Sequence, residues 1–201
     1  MSILGCALII LSGNIQANYK LGKDFGSLAR PLPVKQDGVV EVIEVFWYGC
    51  GHCFNLAPAV SSWSKKKDSS VNFRKMPVTW GPVHQLHAKL FYTIEALGIG
   101  ETGHTAVFTA IHKEGNFLSS DGAILDFLEK LGMDRSETIK YMNSFSVRQK
   151  VKRAIEISKQ FKVTATPMMF VDGQYRIEAK GGSSKMLKVV DHVIELQKPI
   201  S

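Results

Sequence analysis

The segment that most restricts this chain is Val39–Trp47, VVEVIEVFW, with the residues that follow it. Valine, isoleucine and aromatic residues fill most positions on both alternating faces. A strand of that kind belongs in the middle of a sheet, with both faces covered. After Tyr48-Gly49 comes Cys50-Gly51-His52-Cys53, and Phe54–Ser64 then reads as a helix. Strand, tight turn, cysteine pair and helix together put Cys50 at a helix N-terminus. Free backbone N–H groups and the helix dipole stabilise a thiolate there. A thiolate is the nucleophile of thiol–disulfide exchange, and a lowered pKa also makes it a good leaving group. Two cysteines three apart can close a small ring, so a disulfide between them can form and open locally. His52 can offer the Cys50 thiolate a hydrogen bond or a positive charge.

The remaining pattern extends this unit. Val71–Met76 is a second candidate strand. Val83, Leu86, Leu90, Ile94 and Leu97 have helical spacing over Pro82–Leu97. Further helical segments fall near 103–113, 121–131, 135–144 and 146–161. Met168–Val171, a two-residue Asp172-Gly173 turn and Tyr175–Ile177 read as a hairpin. Ser183 or Ser184 then caps a last helix to Gln197. The order implies an α/β fold with an all-helical insertion between two sheet halves.

Composition closes off other classes. In 201 residues, 45% are apolar and 21% charged, which excludes a disordered, collagen-like or polytopic membrane chain. Three cysteines cannot scaffold a fold of this length, so cysteine chemistry is local. The net charge of +7 attracts anions without specificity, and no nucleic-acid motif accompanies it. The densest basic run, Lys65-Lys66-Lys67, suits a helix C-terminus. Residues 1–17 carry no charge, and Ile3–Leu11 is an apolar run too short for a bilayer, which takes about 20 residues. It suits the core of a secretory signal peptide with Ala17 before the cut. The alternatives are a buried N-terminal strand, or a lipid-attachment box at Leu4-Gly5-Cys6. Cleavage would remove Cys6 and leave two cysteines.

Phe46-Trp47-Tyr48-Gly49-Cys50-Gly51-His52-Cys53, with Pro58 five residues after Cys53, resembles a thioredoxin-fold active site. With the helical insertion and the late Val163-Thr164-Ala165-Thr166-Pro167 segment, residues 24–197 are similar to the DsbA family of bacterial periplasmic thiol:disulfide oxidoreductases. The resemblance implies a thioredoxin-like domain over 18–80 and 161–201, with an inserted helical domain over 81–160. It implies Cys50 as exposed nucleophile, Cys53 as buried resolving thiol and His52 as stabiliser of the Cys50 thiolate. It also implies a cis-proline at Pro167, with Thr166 and Met168 lining a substrate groove. Partners would be reduced, folding exported proteins and a DsbB-like, quinone-linked membrane protein that reoxidises the pair. No cofactor beyond the cysteines and no metal is expected, and the location would be periplasmic.

Glu44 is a carboxylate in an apolar strand, on the face of Val42 and Phe46. If buried, it must find a partner or rise in pKa. Arg74 and Lys75 are both candidate counter-charges, and the alternative is an edge strand with Glu44 in solvent. The family resemblance implies a buried acid beneath the resolving cysteine that handles its proton. One departure stands out: Gly51-His52 occurs where well-known family members have Pro-His, and Gly-His is the pair of protein disulfide isomerases. An isomerase or reductase of the same fold is therefore a rival reading. Family isomerases dimerise through an N-terminal domain, and too few residues separate Ala17 from the first long strand to form one; a monomeric oxidase is expected. A second rival is a zinc-linked or structural module with His84-x-x-His87 completing the Cys50/Cys53 pair. His84 and His87 otherwise read as polar-face residues of their helix, and His104, His112 and His192 as surface residues.

Overall fold

The structure, a computed structural model, describes residues 19–33 and 38–198. Its elements are β1 (Gly26–Ser27), β2 (Val40–Phe46), α1 (Gly51–Ser64), β3 (Val71–Pro77), α2 (Pro82–Ala96), α3 (Gly100–His112), α4 (Asp121–Lys130), α5 (Arg135–Met142), α6 (Phe145–Gln160), β4 (Met168–Val171), β5 (Tyr175–Glu178) and α7 (Ser183–Gln197). The expected leader at 1–17, with Cys6, lies outside the described residues.

The sheet order is β1-β5-β4-β2-β3. β2 and β3 are parallel, so the chain must cross between them, and α1 makes that crossing. β4 runs antiparallel to β2, and β5 to β4. β2 is thus an inner strand. Its Val42 and Phe46 point to one side and Ile43 and Val45 to the other, and all four are buried. On one face Val42 and Met169 pack with Leu56 and Val60 of α1 and Met186, Val190 and Val193 of α7. On the other, Ile43, Val45 and Phe170 meet Ala154, Ile157 and Phe161 at α6. A fully buried aliphatic side chain contributes about 1.5–3 kcal/mol relative to an exposed one. The sheet's position between two helical layers follows from that double face.

Helices α2–α6 lie between β3 and β4 in the chain and enclose their own core. Leu90, Ile94, Val107, Phe108, Ile124 and Leu128 fill it, and Phe46 and Cys53 join it from the sheet side. Serine and aspartate start three of these helices: Ser120, Asp134 and Ser144 each accept from the backbone N–H three residues on. The hairpin turn is one residue longer than expected. Val171 pairs with Tyr175, and Gln174 N–H donates to Val171 O at 3.0 Å. Asp172 and Gly173 both take positive φ, 50° and 59°, which suits Asp-Gly. Asp172 also fastens the hairpin to β2, through its N–H to Glu41 O at 2.8 Å and its Oδ1 from Glu41 N–H at 2.7 Å. The basic run sits where a cation suits the dipole, with Lys65 as the C-cap of α1.

Candidate active site

β2 ends at Phe46, and the Trp47–Gly49 turn delivers Cys50 as the N-cap of α1, in an extended conformation. Cys50 N–H donates to Trp47 O at 3.0 Å, which closes the turn. Gly49 is required there: a Cβ would stand 2.5 Å from the Trp47 ring. Cys50 Sγ accepts from Cys53 N–H at 3.3 Å, and as a thiol it donates to Thr166 O at 3.6 Å. Both cysteines are free thiols, Cys50 part-exposed and Cys53 buried.

The two sulfurs have opposite electrostatics. The Cys53 side chain hydrogen-bonds to the Cys50 sulfur and is the largest influence lowering its pKa, from 9.0 to about 5. The Thr166 side chain and the backbone N–H groups of Cys53 and His52 act in the same direction, against partial burial. Burial, followed by the neighbouring Cys50, pushes the Cys53 thiol far up. One cysteine is an anion at neutral pH and the other is held as a thiol.

His52 is exposed, and its backbone N–H is one of the groups that lower the Cys50 pKa. In the first turn of α1 the N–H groups converge on the N-cap while side chains project outward. Gly51, the first helical residue, has open space around it.

Opposite Cys50, the Thr166–Pro167 bond is cis. Thr166, Pro167 and Met168 line a cleft of about 350 Å³ with His52, Asn55 and Lys180. Met168, only 2% exposed, forms its floor. Glu44 lies on the inner strand, not at an edge, and is 2% exposed with Oε2 lacking a hydrogen bond. Burial lifts its carboxyl from 4.5 to about 7, against the opposing charge of Lys75. Of the two candidate counter-charges, Lys75 stands in register with Glu44 on β3, whereas Arg74 pairs with Glu41 at 2.9 Å. Lys75 is itself bound to Glu101 of α3 at 2.7 Å.

Several histidines differ from expectation. His87 is fully buried: Nδ1 accepts from Trp47 Nε1–H at 3.1 Å, so the proton sits on Nε2, which donates to Phe117 O at 3.1 Å. Both nitrogens are occupied, which removes His87 as a metal ligand. Among the described residues no group of three His, Cys, Asp or Glu is placed to hold a metal. His84 lies against Trp47, with ring centroids 4.4 Å apart and the planes tilted by 34°. His104, read as a surface residue, is 3% exposed, with Nδ1 3.1 Å from the Tyr48 hydroxyl. Burial lowers it to about 3, so it is neutral. The signal was present: His104 shares a helix face with Val107, Phe108 and Ile111, all buried. His112 is half-buried, stacks on Phe54 at 4.8 Å and reaches Tyr48 O at 2.7 Å.

A strand-to-helix turn with one thiolate, one buried thiol and a facing cis-proline is equipped for exchange between a disulfide and external thiols. Known proteins agree. A profile described as DSBA-like thioredoxin domain matches residues 83–193. The thiol:disulfide interchange protein DsbA of Pseudomonas aeruginosa is 36% identical over 183 residues, spanning 90% of this chain and 87% of that protein. Its namesake from Burkholderia cepacia is 40% identical over 180 residues, 88% of this chain and 85% of that one. A crystal structure of Pseudomonas aeruginosa DsbA superposes with a TM-score of 0.84, at 36% identity, over 89% of this chain and 94% of that chain. The fold expected from the sequence, thioredoxin-like with a helical insertion, is the fold observed. The chain belongs to the DsbA family and is a thiol:disulfide oxidoreductase built around Cys50 and Cys53.

Proposed function

We propose that the protein is a disulfide donor to reduced, folding exported proteins, working as a monomer. A substrate thiolate attacks Cys50 Sγ of the Cys50–Cys53 disulfide. The new bond joins substrate and Cys50, and Cys53 leaves with the electron pair. Cys53 is protonated, with Glu44 as the source. A second substrate thiolate then attacks the substrate sulfur of the mixed disulfide. The substrate disulfide forms, Cys50 leaves as thiolate, and the pair has gained two electrons.

The observation that carries this direction is the lowered pKa of Cys50. A stabilised thiolate stabilises the reduced form, which makes the disulfide oxidising and Cys50 a good leaving group. Gly51 does not weaken this support, because the sulfur draws its backbone hydrogen bonds from Cys53 and His52. The cleft beside Thr166 and Pro167 is a fit for an extended substrate segment, which would pair with backbone groups exposed there. A donor that ends as a dithiol needs an oxidant each cycle. We assign that role to a DsbB-like, quinone-linked membrane protein and the site of action to the oxidising periplasm. Among the described residues no helix is long and apolar enough to cross a membrane.

Trapping tests the roles. Cys53→Ser should accumulate mixed disulfides between Cys50 and client proteins in cells, and Cys50→Ser should abolish exchange. Absence of trapped clients with Cys53→Ser would overturn the assignment of nucleophile and resolving thiol.

A further inference from the structure

Glu44 is buried beneath α1 with one carboxylate oxygen unbonded, so a proton it exchanges needs a route outward. On β3, Lys75 stands in register with it, and only 12% of the Lys75 side chain is exposed. The Lys75 ammonium does not end in solvent: Nζ is 2.7 Å from Glu101 Oε2 on α3. Glu101 also hydrogen-bonds to the Ser61 side chain on α1. It therefore joins β3, α3 and α1 at one carboxylate. That carboxylate is 41% exposed and lines the cleft between α1 and α3, about 640 Å³, with Phe54, Pro58, Ser61 and Thr105. The cleft shares no lining residue with the one at Thr166 and Pro167.

We propose that Glu101 is a positioning residue for the exchange reaction: it holds Lys75 and, by cancelling its charge, keeps Glu44 able to protonate Cys53, while opening the pair to solvent away from the substrate cleft. This rests on the role given to Glu44 above. The step balances simply. Cys53 leaves the disulfide as a thiolate, takes the Glu44 proton and becomes a thiol. Glu44 is left as a carboxylate and regains a proton from water through the Lys75–Glu101 pair.

The charged groups that act on Glu44 are Lys75 from β3 and Glu101 from α3, and His104 of α3 lies within the field of both. β4 places Met169 opposite it. Lys75 acts to lower the Glu44 pKa and Glu101 to raise it. The two substitutions must then move the Glu44 titration in opposite directions. A merely structural role for Glu101 gives no such sign reversal. Glu101→Gln keeps shape and hydrogen-bonding capacity but removes the charge that balances Lys75.

The test is single-turnover reduction of the Cys50–Cys53 disulfide by excess dithiothreitol, with rates corrected for the reagent's own thiolate fraction, across neutral pH. The wild type should show an inflection at about 7, the Glu44 value. Glu101→Gln should lower it by about one unit, which leaves Glu44 about a tenth protonated at pH 7 and slows reduction about fivefold there. Lys75→Met should raise it by about one unit and speed reduction about twofold at pH 7. Glu44→Gln should abolish the inflection. If Glu44→Gln abolishes it and Glu101→Gln leaves it in place, or if Glu101→Gln and Lys75→Met shift it the same way, the role of Glu101 is refuted. An inflection that survives Glu44→Gln refutes the Glu44 reading itself.

Discussion

The Cys50 thiolate should make the stability gap between the two redox forms depend on pH. The pKa of Cys50 is about 5 in the folded reduced protein, against an ordinary 9.0 in the unfolded chain. A folded-state value below the unfolded one means that unfolding takes up a proton, so the reduced form gains stability as pH rises above about 5. It gains up to about 1.36 kcal/mol per pH unit, or about 3 kcal/mol between pH 5 and 7.5. Cys50 is only part-buried, and solvent screening reduces this to about 1–2 kcal/mol. The gain disappears as pH falls through 5. Above about pH 8 the unfolded thiols ionise and the raised Cys53 opposes the trend, so the useful window ends there. Glu44 titrates in the same range but is present in both redox forms, so to first order it cancels in the difference. The assay is urea unfolding of the reduced and oxidised proteins at pH 5 and 7.5. The reduced form should gain about 1–2 kcal/mol on the oxidised form, equivalent to about 20–40 mV of oxidising strength. Reduced Cys50→Ser should show no such gain. A gap that stays constant with pH, or closes as pH rises, refutes the thiolate argument.

The two glycines that flank Cys50 should respond in opposite ways. Gly51→Pro places proline at the first helical position, where there is space and no N–H is lost from the sulfur; it should add about 0.4–1 kcal/mol by denaturant unfolding and leave the Cys50 thiolate absorbance inflecting at about 5. Gly49→Ala forces a Cβ against the Trp47 ring and should cost about 1–3 kcal/mol by the same unfolding measurement, with the turn displaced beneath Cys50.

Much of this architecture was legible because the decisive signals are local. The two-faced apolar pattern of Val40–Phe46 forces a central strand, and the helix from Gly51 follows at once. The helices of the insertion announce themselves by spacing, and α4, α5 and α6 also by serine or aspartate caps. β1 has two residues, too few for any periodicity to register. α3 begins at Gly100 rather than near 103, and Gly103 lies inside it as a packing site, where a Cβ would stand 2.7 Å from Ile94. The Asp172-Gly173 turn was readable, but its third residue was not, since register depends on pairing across the strands. Within the site, Cys50, Cys53 and the Thr166-Pro167 pair carry their chemistry in their identities. The partner of Glu44 does not. Arg74 and Lys75 alternate on β3, and only the register with β2 selects Lys75. Glu101 is remote in sequence from every other member, and no local pattern links it to Lys75. The burial of His104 is readable from the apolar face it shares with Val107, Phe108 and Ile111, whereas the contacts of His87 with Trp47 and Phe117 come from elements distant in sequence and carry no local signal.

The most direct test of the central claim is the equilibrium of the Cys50–Cys53 pair against a graded glutathione buffer at neutral pH, scored by alkylation of free thiols. With Cys50 stabilised as a thiolate, the pair should remain reduced until the buffer is strongly oxidising, as a disulfide donor requires. A pair that stays oxidised in reducing buffer would contradict it: the disulfide would be the stable form, and the same fold would run electrons outward as a reductase or isomerase.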